Sequence, residues 1–153
     1  MAQSSRFAVA VHVLTLLASV GETLTSETIA GSVNTNPVVI RRLVAQLVRA
    51  GLVISHPGSG GGVALARRAA EISLEQVRQA VEGKARVALP PCSPNPACLV
   101  GANVQAVLLA ALARSERARE TELAKTSVAD LARAVRRAAQ KNAPANIKRK
   151  KAS

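Results

Sequence analysis

Apolar residues keep a helical spacing from the first positions of the chain. Residues 7–21 are apolar apart from a narrow polar stripe of His12, Thr15 and Ser19, spaced i, i+3 and i+7, as on one side of a helix. Gly21 stands where a helix-ending glycine is expected. Thr25 opens a short helix running to about residue 32, with Glu27 in its first turn, where the helix dipole favours a carboxylate. Residues 33–36 form a tight turn, and Asn36-Pro37 starts the next helix. Asparagine supplies a capping acceptor, and proline at the first helical position gives up an N–H that has no partner there. Over residues 37–50, Ile40, Leu43, Val44 and Leu47 repeat on one side while Val38, Arg41, Arg42, Gln46 and Arg49 take the other. Two helices across a short turn, the second apolar on one side and basic on the other, predict a helix-turn-helix.

Two short apolar runs, 52–55 and 63–66, flank His56-Pro57-Gly58-Ser59-Gly60-Gly61-Gly62. That pattern predicts a hairpin, which after a helix-turn-helix is a wing. Ser73 and Gln76 form a capping box, with Ile72 and Val77 placed as a hydrophobic staple, so a helix is expected over 74–82. Residues 90–98 hold four of the seven prolines and both cysteines, which excludes regular helix or a central strand. Beyond them, Val104, Val107, Leu108, Ala111 and Leu112 mark a long helix over 99–123, and a Thr126-Ser127 start signal precedes another over 128–139. A small domain has nothing to cover that long apolar stripe fully. A two-fold copy is the natural cover, packing against the chain's own wing domain is the other, and both can hold. The expected fold is mainly α with a small β-hairpin wing: a winged helix-turn-helix plus a long C-terminal dimerisation helix. Its parts are a DNA-binding unit (1–83), a linker and cysteine loop (84–98), dimerisation helices (99–140) and a disordered basic tail (141–153).

Composition narrows the functional classes. Of 153 residues 48% are hydrophobic, yet Phe7 is the sole aromatic, so the core is aliphatic, which suits close-packed helices. Base stacking on single strands is disfavoured for the same reason. Lys and Arg number 21 against 9 acids, a net charge of +12, which points to a polyanion: nucleic acid or an anionic membrane surface. Seven of those basic residues and no acid follow Val135, adding sequence-independent phosphate attraction. The N-terminal segment lacks a basic leader and is interrupted by Arg6 and His12, and no other stretch reaches membrane length uncharged. Two cysteines are too few for a disulfide scaffold. A cytoplasmic protein without a membrane partner is expected. The acids lie scattered on predicted helix surfaces and neither histidine has an acid partner nearby in sequence, so no enzyme is expected.

The order of helix, helix-turn-helix, glycine-rich wing, helix, cysteine loop and long helix resembles the Rrf2 family of winged-helix transcription regulators. The resemblance covers residues 1–139 and is carried by Thr25-Ser26-Glu27-Thr28-Ile29-Ala30, Asn36-Pro37-Val38-Val39-Ile40-Arg41-Arg42-Leu43, Ala50-Gly51-Leu52-Val53 and Gly60-Gly61-Gly62-Val63-Ala64-Leu65-Ala66. Val63 departs from the family, which usually has an aromatic after the glycines. The resemblance implies a homodimeric regulator of double-stranded DNA, most often a repressor.

In such a fold the first turns of the second helix reach base edges in the major groove. Thr35, Asn36, Pro37 and Val38 sit at that tip, with Arg41 and Arg42 one turn further in. Arginine can fork onto guanine or hold a phosphate, and Val38 can touch a thymine methyl. In the wing, Ser55, His56, Ser59 and Gly60 are candidates for backbone or minor-groove contact, with a plain flexible turn as the other account of His56. The resemblance also implies a sensor loop, because cluster-binding relatives carry three closely spaced cysteines. This chain has Cys92 and Cys98 alone. Iron–sulfur clusters usually take four protein ligands, so no cofactor and no metal site are expected. Cys92 and Cys98 form a redox-sensing thiol pair or simply pack. The competing functional account is a nucleoid-type architectural protein that binds DNA by charge alone.

Overall fold

Side-chain caps open four of the six α-helices in this computed structural model, which describes residues 5–58, 60–83, 89 and 91–142. Helix α1 (Arg6–Val20) ends at Gly21, whose φ of +77° places it in the left-handed region that glycine accepts freely. Helix α2 (Ser26–Val33) starts at Thr25, whose Oγ1 accepts the Thr28 N–H at 3.1 Å, and ends at Asn34 with φ +59°. Helix α3 (Pro37–Arg49) starts at Asn36, whose Oδ1 accepts the Val38 N–H at 2.8 Å. Helix α4 (Leu74–Glu82) carries the reciprocal capping box: the Ser73 N–H donates to Gln76 Oε1 at 3.0 Å and the Gln76 N–H to Ser73 Oγ at 3.3 Å. Ile72 and Val77 are fully buried beside it. Helices α5 (Leu99–Ala124) and α6 (Val128–Asn142) follow, the latter opened by Ser127 and Asp130 exchanging the same kind of bonds.

Strands β1 (Val53–His56) and β2 (Gly62–Leu65) pair antiparallel, Val53 opposite Leu65 and His56 opposite Gly62. Both are offset by one residue from the sequence expectation. Leu52 is drawn into the core at 1% exposure and donates its N–H to Leu47 O, which leaves the strand to begin one residue later. Gly62 joins β2 because the chain before α2 lies against it: a Cβ there would stand 2.5 Å from Leu24 O. Leu24 and Val63 then exchange backbone hydrogen bonds of 3.0 and 2.8 Å, which fasten the wing to the start of α2. A short 3-10 turn (Ala69–Glu71) precedes α4.

One apolar core takes the inner faces of α1 to α4, both strands and α6. Ile40, Leu43, Val44 and Leu47 are the buried residues of α3, which leaves the opposite side of that helix in solvent. Each such side chain contributes about 1.5–3 kcal/mol by leaving water. Helix α6 returns to this unit. It packs along α1, with the Val128 N–H donating to Ile72 O at 2.9 Å and Val128 fully buried. Helix α5 alone projects: it has no buried residue and makes its main contact with α4. The expected linker (84–98) and tail (141–153) lie partly outside the described residues, as does Ser59 wholly, and α6 runs through Asn142. No described helix is long and apolar enough to cross a membrane. The architecture is a winged helix with a long projecting helix.

Candidate nucleic-acid interface

Because the aliphatic side of α3 faces the core, Val38, Arg41, Arg42, Ala45 and Arg49 are exposed, Val38 to 46%. Ahead of them, Thr35 is half-buried in the turn and its N–H donates to Ala30 O at 3.0 Å. Asn36 is an exposed cap and Pro37 the half-buried first residue of the helix. Arg41 and Arg42 diverge. Arg42 lines a cleft of about 270 Å³ with Ser5, Arg6, Val39 and Gln46, at the start of α1. Arg41 lines another of about 430 Å³ with Ser26, Arg49, Ser55 and Val63. Helix face and wing thus converge, since Arg41 on α3 and Ser55 on β1 share one concavity.

His56 ends β1 in solvent, and Gly60 turns the wing loop at φ +80°. Gly61 is required by close approach, because a Cβ there would lie 2.1 Å from the His56 carbonyl oxygen. Sequence reasoning set Gln46 and Arg49 on this side of α3 without naming them as DNA contacts, and it did not single out Ser26 or Arg6. Arg49 carried a signal, standing seven residues after Arg42 on the basic side of the same helix. Glu27 was placed in the sequence as a helix-dipole carboxylate; in the structure it also accepts a hydrogen bond from Arg41 Nη2. Hydrogen bonding to its own backbone N–H, and then to Arg41, holds its carboxyl below the usual range.

Three of the nine acids, Glu75, Glu116 and Glu120, are gathered rather than scattered. Arg78 on α4, 2% exposed, donates to Glu75 Oε1 and Oε2 at 2.7 and 2.8 Å and to Gly83 O at 3.2 Å. It also lies 3.4 Å from Glu116 and 3.5 Å from Glu120 on α5. These three carboxylates share one arginine and build a joint between α4 and α5 rather than an acid–base pair.

Cys92 and Cys98 are both free and exposed. Cys98 is the residue before α5; backbone N–H groups of Gly101 and, less strongly, Val100 pull its thiol below the ordinary value. The proline loop is fastened there: the Cys98 N–H donates to Asn95 O at 3.2 Å, and a Cβ on Gly101 would lie 2.4 Å from that same oxygen. Each chain offers two exposed thiols, against the four protein ligands that an iron–sulfur cluster usually takes. Among the described residues no group of three or more His, Cys, Asp or Glu side chains is gathered for a metal.

The sequence profile of the Rrf2 family, described as an iron-dependent transcriptional regulator, matches residues 3–134. YwnA of Bacillus subtilis (strain 168), described as an HTH-type transcriptional regulator, is 41% identical over 128 residues, covering 84% of this chain and 95% of that protein. A crystal structure of a protein described as DNA-binding superposes with a TM-score of 0.68 at 40% identity, over 83% of this chain and 98% of that one. The oxidized form of Staphylococcus aureus CymR superposes with a TM-score of 0.62 at 26% identity, over 86% and 96% of the two chains. The proteins so matched are regulators of transcription, not enzymes.

Proposed function

The chain belongs to the Rrf2 family of transcriptional regulators, and on that premise we propose that it is a sequence-specific, homodimeric cytoplasmic repressor of promoters whose DNA binding responds to thiol oxidation. The observation that carries the reading is the exposed side of α3, where Arg41, Arg42 and Val38 stand clear of the core and Arg41 shares a concavity with Ser55 of the wing. A helix of that shape fits the major groove. Arginine donors suit guanine O6 and N7, Val38 suits a thymine methyl, and Ser55, His56 and Gly60 lie where the wing meets the backbone. Thr35 and Asn36 hold the helix start at the groove edge.

Dimerisation rests on α5, where Val100, Val104 and Val107 are 65%, 45% and 68% exposed. A second copy covers that stripe and sets two α3 helices about one DNA turn apart. Redox control rests on Cys98. Its thiolate attacks a peroxide oxygen, hydroxide leaves and a sulfenic acid forms; the Cys92 thiol then displaces water to give a disulfide. That product tightens the loop beside α5 and shifts the spacing of the two reading helices. The family's iron is not assigned to this chain, which has two cysteines in all, and the proposed chemistry needs no resident cofactor.

The test is a duplex recovered by the protein from a randomised pool, used in gel shifts before and after peroxide. The reading expects tight binding by the reduced protein, weaker binding after oxidation, and no oxidation effect in Cys98→Ser. Uniform coating of any duplex, abolished by moderate salt, would instead establish the charge-driven architectural alternative. Equal binding before and after peroxide would remove the thiol switch and leave the DNA reading intact.

A further inference from the structure

Arg41 is not a free cation on the α3 face. Its Nη2 donates to Glu27 Oε1, although both side chains are more than half exposed, at 57% and 60%. Exposed ion pairs contribute little to stability, so the pair's consequence lies in where it places a guanidinium. The carboxylate comes from the first turn of α2, a helix packed on α3 and capped by Thr25. It is therefore fixed to the scaffold rather than hanging from a loop.

We infer that Glu27 is a positioning residue for DNA reading: by holding one edge of the Arg41 guanidinium it orients the other edge toward a base and keeps the side chain off the phosphates. This rests on the proposed role of α3 as the reading helix. Arginine has a long, rotatable stem and five N–H donors in a planar fork. Unheld, it reaches for the nearest phosphate, a contact that carries no sequence information. Held at Nη2, it keeps N–H groups for the paired acceptors of guanine, O6 and N7. The charge effect acts in the same direction. A neutralised Arg41–Glu27 pair gains little from the backbone field, and the carboxylate itself is repelled by phosphates. A guanine edge, whose acceptors are uncharged, is affected less.

Arg42 makes the contrast within one helix turn. It lines the cleft beside Arg6 and Gln46 at the start of α1, with no acid among the lining residues. That environment suits a phosphate. The two adjacent arginines thus divide the work, Arg41 reading and Arg42 anchoring, and the division is made by Glu27.

The experiment uses full-length protein and two duplexes: the one recovered by the unmodified protein from a randomised pool, and an unrelated duplex of equal length. Selection is repeated with Glu27→Gln, Glu27→Asp, Arg41→Ala and the Glu27→Gln/Arg41→Ala double variant, and affinities are followed against salt. For Glu27→Gln we expect one guanine preference per half-site to fall about tenfold. The salt slope steepens by about one for each DNA-bound copy, as a freed Arg41 takes up a phosphate. Arg41→Ala loses the same preference, Glu27→Gln adds nothing to it in the double variant, and Glu27→Asp keeps it. A Glu27→Gln protein that retains the preference while Arg41→Ala loses it overturns the inference and spares the reading helix. Equal gains in affinity for both duplexes overturn it too, since Glu27 is then only an electrostatic brake. An Arg41→Ala protein with every preference intact removes the reading role of Arg41 itself, and the inference with it.

Discussion

Arg78 on α4 reaches Glu116 on α5 at 3.4 Å, from a position where only 2% of its side chain meets solvent. With Glu75 and Glu120 it makes the joint through which the projecting helix is attached to the winged unit, since α5 itself buries no residue. Replacing Arg78 by Met leaves Glu75 buried without its partner. We expect a loss of about 2–3 kcal/mol in denaturant unfolding, below the full cost of a broken buried pair because Glu116 and Glu120 are partly solvated. Faster amide exchange in α5 accompanies it.

Glu75 gives that joint a pH dependence. The Arg78 hydrogen bond, outweighing desolvation and aided by Gln79, holds its carboxyl below the ordinary value. The folded state therefore binds this proton less readily than the unfolded chain. Its stabilisation is complete above the unfolded carboxyl value of about 4.3 and is lost as pH falls from there through the depressed folded one. Unfolding midpoints measured from neutral to acid pH are expected to fall less steeply in Glu75→Gln than in the unmodified protein.

Asn36 couples stability to the exposed side of α3 through a single cap. Asn36→Ala removes the acceptor for the Val38 N–H and is expected to cost about 1 kcal/mol. Thermal unfolding checks it, and DNA affinity falls with it if the first turn of α3 frays.

Gly61 isolates the wing. A Cβ 2.1 Å from a backbone oxygen forces the hairpin to shift. Gly61→Ala is expected to weaken DNA binding at least a few-fold while leaving the signals of α1 to α3 in place, which a heteronuclear NMR spectrum checks.

Cys98 is expected to be alkylated by iodoacetamide with a pH midpoint below that of the same residue in urea-unfolded protein. Only in the folded chain do the Gly101 and Val100 N–H groups favour the thiolate. Peptide mass spectrometry of a pH series reads the midpoint, and coincident curves would remove the redox role of this residue.

What the sequence revealed and what it hid follow from the range of the interactions involved. Helix α3 was legible because its cap, its proline and its aliphatic stripe are all local, and the four buried residues are the four that the spacing named. The boundaries of α4 were legible for the same reason, through Ser73, Gln76 and the Ile72–Val77 staple. The return of α6 to the core was not, because it depends on Val128 donating to Ile72, a partner 56 positions away. Arg78 escaped notice because a basic residue on an amphipathic helix reads as solvated; two of its partners, Glu116 and Glu120, stand on α5, far along the chain. The Glu27–Arg41 pair was hidden in the same way, each residue having a sufficient local explanation. The face itself was legible, while the contacts that orient its arginines were not.

Paired α3 helices are proposed to read duplex DNA with the side opposite their aliphatic core. Hydroxyl-radical and dimethyl-sulfate footprinting on the duplex recovered from a randomised pool tests it most directly, comparing the unmodified protein with an Arg41→Ala/Arg42→Ala variant. Two protected major-groove patches, centred about one helical turn apart and lost together in the variant, are the predicted result. Continuous protection without spacing, or patches that survive in the variant, would contradict it.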